Sequence, residues 1–181
     1  MVLAVVGSRQ PNAAQQQRCR EGVAAALAAG WEIVTGGAPG IDSVAVHAAQ
    51  TAGHADRVTL VLPWERFGGW QDLRLKRIVF DPEGCPEHRD WLSQLGELRP
   101  SARNTMKPGA VRCLARDVGI VRMADSVFAF TRVDEPQRGG TAFAVRVARD
   151  LGKNLWIDDG TRPVGTPFRA ALRRIPAQAP A

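Results

Sequence analysis

Short apolar runs alternate along this chain with longer stretches whose apolar positions recur at helical spacing. Leu3-Ala4-Val5-Val6 is apolar without a break and stops at Gly7-Ser8, as expected of a parallel strand covered on both faces. Asn12 offers a cap to a predicted helix that runs to about Ala29, with Val23, Ala26 and Leu27 among its apolar positions and Gly30 as its stop. Trp31–Thr35 reads as a second strand, Gly36-Gly37-Ala38-Pro39-Gly40 as a turn, Ile41–Ala52 as a helix, and Arg57–Leu62 as a third strand. Strand and helix alternating at this pitch predict an α/β fold: a doubly wound, mostly parallel sheet with right-handed crossovers and helices on both faces.

The pattern loosens between about 63 and 108, which carries Trp64, Trp70 and Trp91, several Gly and Pro, and a short strand at Arg77–Phe80. This segment reads as an irregular insertion, a lid-like excursion from the domain. Regularity returns with a helix near Ala110–Met123, a strand at Asp125–Thr131, a helix at Thr141–Leu151 stopped by Gly152-Lys153, and a last strand at Asn154–Ile157. The expected organisation is one domain over 1–160, followed at 161–181 by a short helix, near Phe168–Ile175, and a Pro/Ala tail. No internal repeat or dividing linker is evident.

At 181 residues the chain is long enough to bury a core without a disulfide or metal staple. Cys19, Cys85 and Cys113 lie far apart, with no CxxC pair and no neighbouring His cluster, as in a reducing compartment without structural zinc. His47, His54 and His88 have no metal-like spacing, so no metal and no cofactor is expected. The opening residues lack a basic leader and a small-residue cleavage site, and no apolar run approaches membrane-spanning length. A cytoplasmic location with no membrane partner is the expectation. The formal net charge is +6, and 21 of the 24 basic residues are arginine, whose planar fork suits phosphate. Codon bias is the favoured reading of the arginines, because Ala, Gly and Pro are abundant too, so charge alone does not establish nucleic-acid binding.

Three turns carry the candidate chemistry. Gly7-Ser8-Arg9 ends the first strand, and ligands of open parallel sheets bind beyond the carboxyl ends of strands; the plain alternative is a tight turn with a surface arginine. Gly36-Gly37-Ala38-Pro39-Gly40-Ile41-Asp42-Ser43 leads into a helix, whose positive end attracts anions. Its spacing is neither GxGxxG nor a P-loop. Asp42 is either a helix cap, a ribose contact or an orienting partner for Arg9. Arg138-Gly139-Gly140-Thr141 repeats the logic ahead of a later helix, with Thr141 as phosphate donor or cap. Trp64, Trp70 and Trp91 read either as packing under a long loop or as platforms for bases.

These residues resemble the DNA-processing protein A (DprA/Smf) family and, more broadly, the SMF/DprA–LOG (SLOG) superfamily of Rossmann-like nucleotide-binding domains. The resemblance rests on Val5-Val6-Gly7-Ser8-Arg9, on Val34-Thr35-Gly36-Gly37-Ala38-Pro39-Gly40-Ile41-Asp42-Ser43-Val44-Ala45 with His47, on Leu114-Ala115-Arg116-Asp117 with Met123-Ala124-Asp125 and Ala129-Phe130, and on Gly139-Gly140-Thr141 with Ala148 and Gly152-Lys153. It implies a Rossmann-like fold and a nucleotide- or phosphate-binding site formed by Gly7, Ser8, Arg9, Gly36, Gly37, Gly40, Asp42, Ser43, Arg116, Gly139, Gly140 and Thr141. Asp117 departs from the family's usual Asn. Arg103-Asn104 supplies a true Arg-Asn pair farther upstream, so Arg116 is the site arginine and Arg103 its reserve. The lonely guy phosphoribohydrolases place a catalytic glutamate after their GGxGT motif, whereas Ala142, Phe143 and Ala144 follow Thr141 here.

Three functions are compatible with this reading, in order of preference: binding of a nucleotide or nucleotide-derived ligand; binding of single-stranded DNA in DNA processing or recombination; and hydrolysis of an N-glycosidic bond, using Asp42, Asp125 or Glu135. The missing glutamate disfavours the last, and no catalytic residue is assigned. Full-length DprA proteins usually carry extra flanking domains, whereas little more than the Rossmann unit is expected here. By analogy with related domains, a homodimer or higher homo-oligomer is expected.

Overall fold

A computed structural model describes residues 1–72, 74–81, 107–132 and 139–161. Among the described residues, ten elements run in the order β1 (Val2–Gly7), α1 (Ala13–Ala28), β2 (Glu32–Thr35), α2 (Ile41–Thr51), β3 (Val58–Leu62), β4 (Lys76–Val79), α3 (Pro108–Met123), β5 (Ser126–Phe130), α4 (Gly139–Asp150) and β6 (Asn154–Asp158). Short 3-10 turns precede β3, at Ala55–Arg57, and follow it, at Phe67–Gly69. The predicted elements that fall on the described residues are all present, with ends moved by a few residues. The short helix expected near 168–175 and most of the segment between β4 and α3 lie outside the described residues.

The six strands form one all-parallel sheet in the order β4-β3-β2-β1-β5-β6. The unbroken apolar strands make sense in this setting, because each central strand is covered twice. Leu3 and Val5 of β1, Ile33 of β2, Leu60 of β3 and Phe128 of β5 point into a core shared with α1 and α2. Their neighbours Ala4, Val6, Val34, Val61 and Val127 point into the opposite core, shared with α3 and α4. Side chains of successive strand residues face opposite sides, so a continuous apolar run feeds both layers. Edge strand β4 differs: all four of its residues are exposed.

The chain lays down β1 to β4 in one direction, then crosses back and places β5 on the other side of β1. The carboxyl ends of β1 and β5 therefore flank a point where successive connections leave on opposite faces, opening a crevice. A buried polar cluster ties α1 to this end of the sheet. Asn12 and Gln15 form a reciprocal capping box at the start of α1. The Gln15 amide also donates to the Thr131 carbonyl at 2.8 Å and the Asp158 carbonyl at 3.2 Å. Arg18, fully buried, pairs with the carboxylate of Asp158 at the end of β6. Among the described residues, no helix is long and apolar enough to cross a membrane.

Candidate functional site

The turns after β1 and β2 stand side by side because their strands are neighbours, and they touch backbone to backbone. Ser8 donates its N–H to the Phe130 carbonyl at 2.8 Å, and its own carbonyl accepts from Ile41 N at 3.1 Å. A Cβ on Gly40 would run into the Ser8 carbonyl and stand 2.6 Å from Arg9 Cα, and the backbone there has φ +95°, a conformation side chains rarely adopt. A Cβ on Gly7 would sit 2.6 Å from that of Ile41. These two glycines thus lock the first and second turns together. Their open sides face protein.

Asp42 and Ser43 hold the second turn from within. Asp42, buried in the first turn of α2, accepts from Ala38 N at 3.2 Å. Ser43 Oγ donates to the Ala38 carbonyl at 2.8 Å. The helix cap is Gly40, which makes no side-chain cap bond, so Asp42 closes the turn instead of capping the helix. The aromatic segment after β3 lies against the same turn, Trp70 Nε1 donating to the Gly37 carbonyl at 2.9 Å. His47, on the exposed side of α2, stacks obliquely on Trp70 with ring centroids 5.3 Å apart.

Arg116 enters from α3 and is 4% exposed. Its guanidinium lies where a Cβ on Gly36 would be, so the missing side chain at position 36 makes room for it. Asp42 Oδ2 stands 3.5 Å from Arg116 Nη1, and Asp117 Oδ1 stands 3.3 Å from Nε. Neither nitrogen has a partner at hydrogen-bond geometry. The Phe67 ring covers the guanidinium, its centroid 5.6 Å from Cζ. Arg116 is therefore an internal clamp between α2 and α3, buried where the sequence led us to expect a guanidinium presented to a ligand.

Two carboxylates share this one buried guanidinium, and their proton affinities register it. Burial pushes the Asp117 carboxyl up to about 7, against the pull of Arg116 and with a further push from Asp42; the charge of Arg9 acts the other way. Burial likewise raises Asp42, opposed mainly by Arg116. For Arg116, burial works against the charge, but Asp117 and Asp42 outweigh it and the net direction is upward.

The third turn leads into α4, which begins at Gly139, two residues ahead of Thr141. Thr141 is thus inside the first helical turn, half-buried, and does not precede the helix as a cap. Asp117 Oδ2 lies 3.0 Å from where a Cβ on Gly140 would be, bringing a carboxyl against the start of α4. Gly139 is exposed, with nothing within 4 Å of a Cβ placed there. Arg9, at the end of β1, is also exposed. Arg103, Asn104, Glu135, Arg138 and Trp91 lie outside the described residues. Asp125 is at the amino end of β5, where its carboxylate accepts from Val2 N at 2.8 Å. That is the edge opposite the three turns, so the structure does not bring it to them.

Every sequence-predicted binding residue of the described set thus sits at the carboxyl edge of the sheet or directly behind it. Most of the glycine space is filled by the protein itself, and the amides of Ser8, Ala38 and Ile41 are engaged internally. What faces outward is Arg9 and the amino end of α4. Sequence reasoning noted Asp117 only as a departure and did not foresee Phe67 and Trp70 on the second turn. The Trp and Phe spacing after the third strand was the available signal, but it does not say which turn the rings will cover.

Residues 1–62 match the model of the family described as DNA recombination-mediator protein A, a stretch spanning β1 to β3 and the first two turns. No curated protein matches the chain in sequence. Among solved structures, the DNA processing protein A of Helicobacter pylori, described for its single-stranded DNA binding mode, is 18% identical with a TM-score of 0.55, over 87% of this chain and 64% of that one. DNA processing protein A (DprA) of Streptococcus pneumoniae is 17% identical with a TM-score of 0.57, over 94% and 55%. The molybdenum cofactor binding protein of the phototrophic bacterium Rippkaea orientalis is 17% identical with a TM-score of 0.58, over 86% and 74%. The chain spans less than two thirds of either DNA processing protein. Over residues 1–62 the chain is similar to the DNA recombination-mediator protein A family, and its described domain has the Rossmann-like α/β fold shared by DNA processing protein A and the molybdenum cofactor binding protein.

Proposed function

We propose that this domain binds the phosphate of a nucleotide or nucleotide-derived ligand in the crevice between the ends of β1 and β5. The observation that carries the reading is that exposed Arg9 follows β1 and the amino end of α4 follows β5, the strand paired with β1, where the strand order reverses. A helix start concentrates unpaired N–H groups and positive potential, and an arginine at the end of the neighbouring strand adds a full charge. In this reading Gly139, Gly140 and Thr141 meet the phosphate, Arg9 neutralises it, and Gly7, Ser8, Gly36, Gly37, Gly40, Asp42, Ser43 and Arg116 hold the turns in position. Each charge-assisted hydrogen bond contributes roughly 1.5–3 kcal/mol, so a few give micromolar binding after association costs. The test is to denature the purified protein and identify any released nucleotide by mass spectrometry, then to titrate that nucleotide into Arg9→Ala. Affinity unchanged by the substitution would remove the site.

A second reading is favoured by the family match at residues 1–62, by the DNA-binding relative from Helicobacter pylori and by the net charge of +6. The phosphate at the rim would then belong to single-stranded DNA. Titrating a single-stranded oligonucleotide at two salt concentrations separates the two, since contacts to several phosphates make affinity fall steeply with salt.

A further inference from the structure

The packing around Asp117 leaves one of its oxygens without a task. The residue is 8% exposed, and among the described residues its polar partner is Arg116 Nε, 3.3 Å from Oδ1. Oδ2 lies against the start of α4, 3.0 Å from where a Cβ on Gly140 would be. A carboxylate in that position ordinarily accepts from the free N–H groups of the helix start, yet no hydrogen bond joins Asp117 to α4 among the described residues. The buried side-chain atoms sealed there without a partner are Nε and Nη1 of Arg116. The Asp117 oxygens are not among them, so the carboxyl keeps access to solvent.

Arg116 does not neutralise this carboxyl fully. The same guanidinium faces Asp42 of α2 at 3.5 Å, so two carboxyls share one positive charge. Arg9, after β1, reaches Asp117 with its charge, and the Cys113 thiol of α3 bears on Arg116. The first turn of α4 carries no acidic residue, His47 packs on Trp70, and His54 stands before β3. Burial lifts the Asp117 carboxyl to about 7, so it changes charge in the neutral range while the arginines keep theirs. As a carboxylate it repels an anion at the start of α4; as a carboxylic acid it donates O–H to an anion's oxygen. We infer that Asp117 meets the ligand as a carboxylic acid: an oxyanion seated at the start of α4 accepts its O–H, and a proton is drawn from solvent to Asp117 as the anion binds. The inference rests on the rim being a phosphate site and adds to it a ligand-contacting residue and a coupling to pH. The oxyanion is a phosphate, whether of a nucleotide or of single-stranded DNA.

Inorganic sulfate isolates the effect, because its own charge does not change across the neutral range. Calorimetric titration in buffers of different ionisation enthalpy counts the protons taken up with it. The wild-type protein should take up close to one proton per sulfate at pH 8 and almost none at pH 5.5, with affinity falling towards about tenfold per pH unit above about 7. Asp117→Asn has an amide that donates without titrating. It should take up no proton, match the wild type within about twofold at pH 5.5 and bind more tightly than it at pH 8. Asp117→Ala lacks the donor and should bind about tenfold more weakly than Asp117→Asn at both pH values. Thermal melts at each pH establish that the variants are folded, and the proton count of the wild type alone decides should Asp117→Ala fail to fold. Proton uptake persisting in Asp117→Asn, equal binding by the Asn and Ala variants, or a wild-type affinity independent of pH would overturn the role of Asp117 and leave the rim standing. Absence of sulfate binding by the wild type at pH 5.5 would overturn both. Displacement of the sulfate by adenosine 5′-monophosphate or by a single-stranded oligonucleotide identifies the source of the phosphate; displacement by either sustains the inference, and displacement by neither overturns it.

Discussion

At Asp117 a carboxyl is pressed between burial, a guanidinium already shared with Asp42, and the start of a helix, and it keeps its proton up to about pH 7. It binds that proton more tightly folded than unfolded. Its contribution therefore favours the folded state below the ordinary carboxylate range and is lost as pH rises through about 7. Asp117→Asn should raise the melting temperature at pH 8, by on the order of 2 kcal/mol of stability, and the gain should vanish towards pH 4. A gain independent of pH would place the cause elsewhere. The same substitution removes a negative group from the amino end of α4, so phosphate affinity at pH 8 should rise as well. The glycine at position 36 makes an opposite prediction. Gly36→Ala puts a methyl group into the Arg116 guanidinium and should cost about 1–3 kcal/mol, read by denaturant unfolding, as overpacking does. Neither effect is visible in the sequence. Asp117 reads there only as a departure from the Asn of the family it resembles, and its setting depends on Asp42 and Gly140, both remote in the chain.

The elements themselves are largely legible, because each announces itself locally. β1, β2, β3 and β5 are short apolar runs closed by polar or glycine residues, and Asn12 with Gln15 marks the start of α1 before any tertiary contact forms. Asn12→Ala should accordingly cost about 1 kcal/mol by loss of the cap, measurable as a shift in the unfolding midpoint. Where α1 meets the sheet, local reasoning runs out. Its inner face holds Gln15 and Arg18 as well as Val23, Ala26 and Leu27, and only the far end of β6 explains why. Arg18→Met leaves Asp158 buried without its partner and should cost about 3–5 kcal/mol. Changing Arg18 and Asp158 together to apolar residues should recover much of that loss. The start of α4 escapes local reading for a related reason: Gly139 and Gly140 read as turn residues, yet both are taken into the helix.

For the molecule as a whole, strand order gathers three distant glycine turns at one edge and leaves Arg9 and the α4 start facing outward. With a net charge of +6, that edge should draw anions from a distance, and binding of any phosphate-bearing ligand should weaken as ionic strength rises. An affinity that stays constant while added salt shortens the Debye length from about 10 Å to about 3 Å would argue against an electrostatic site. The placing of Gly36 within the volume claimed by Arg116 has a further bearing on how such a chain can diverge. The two positions own one space between them, so neither is free to drift while the other stays. A descendant that shortened the arginine would ease the demand for glycine at 36, leaving the Asp42 carboxylate, 2.9 Å from a Cβ there, as the remaining neighbour to shift. Residues far apart in the chain are in this sense inherited as a couple.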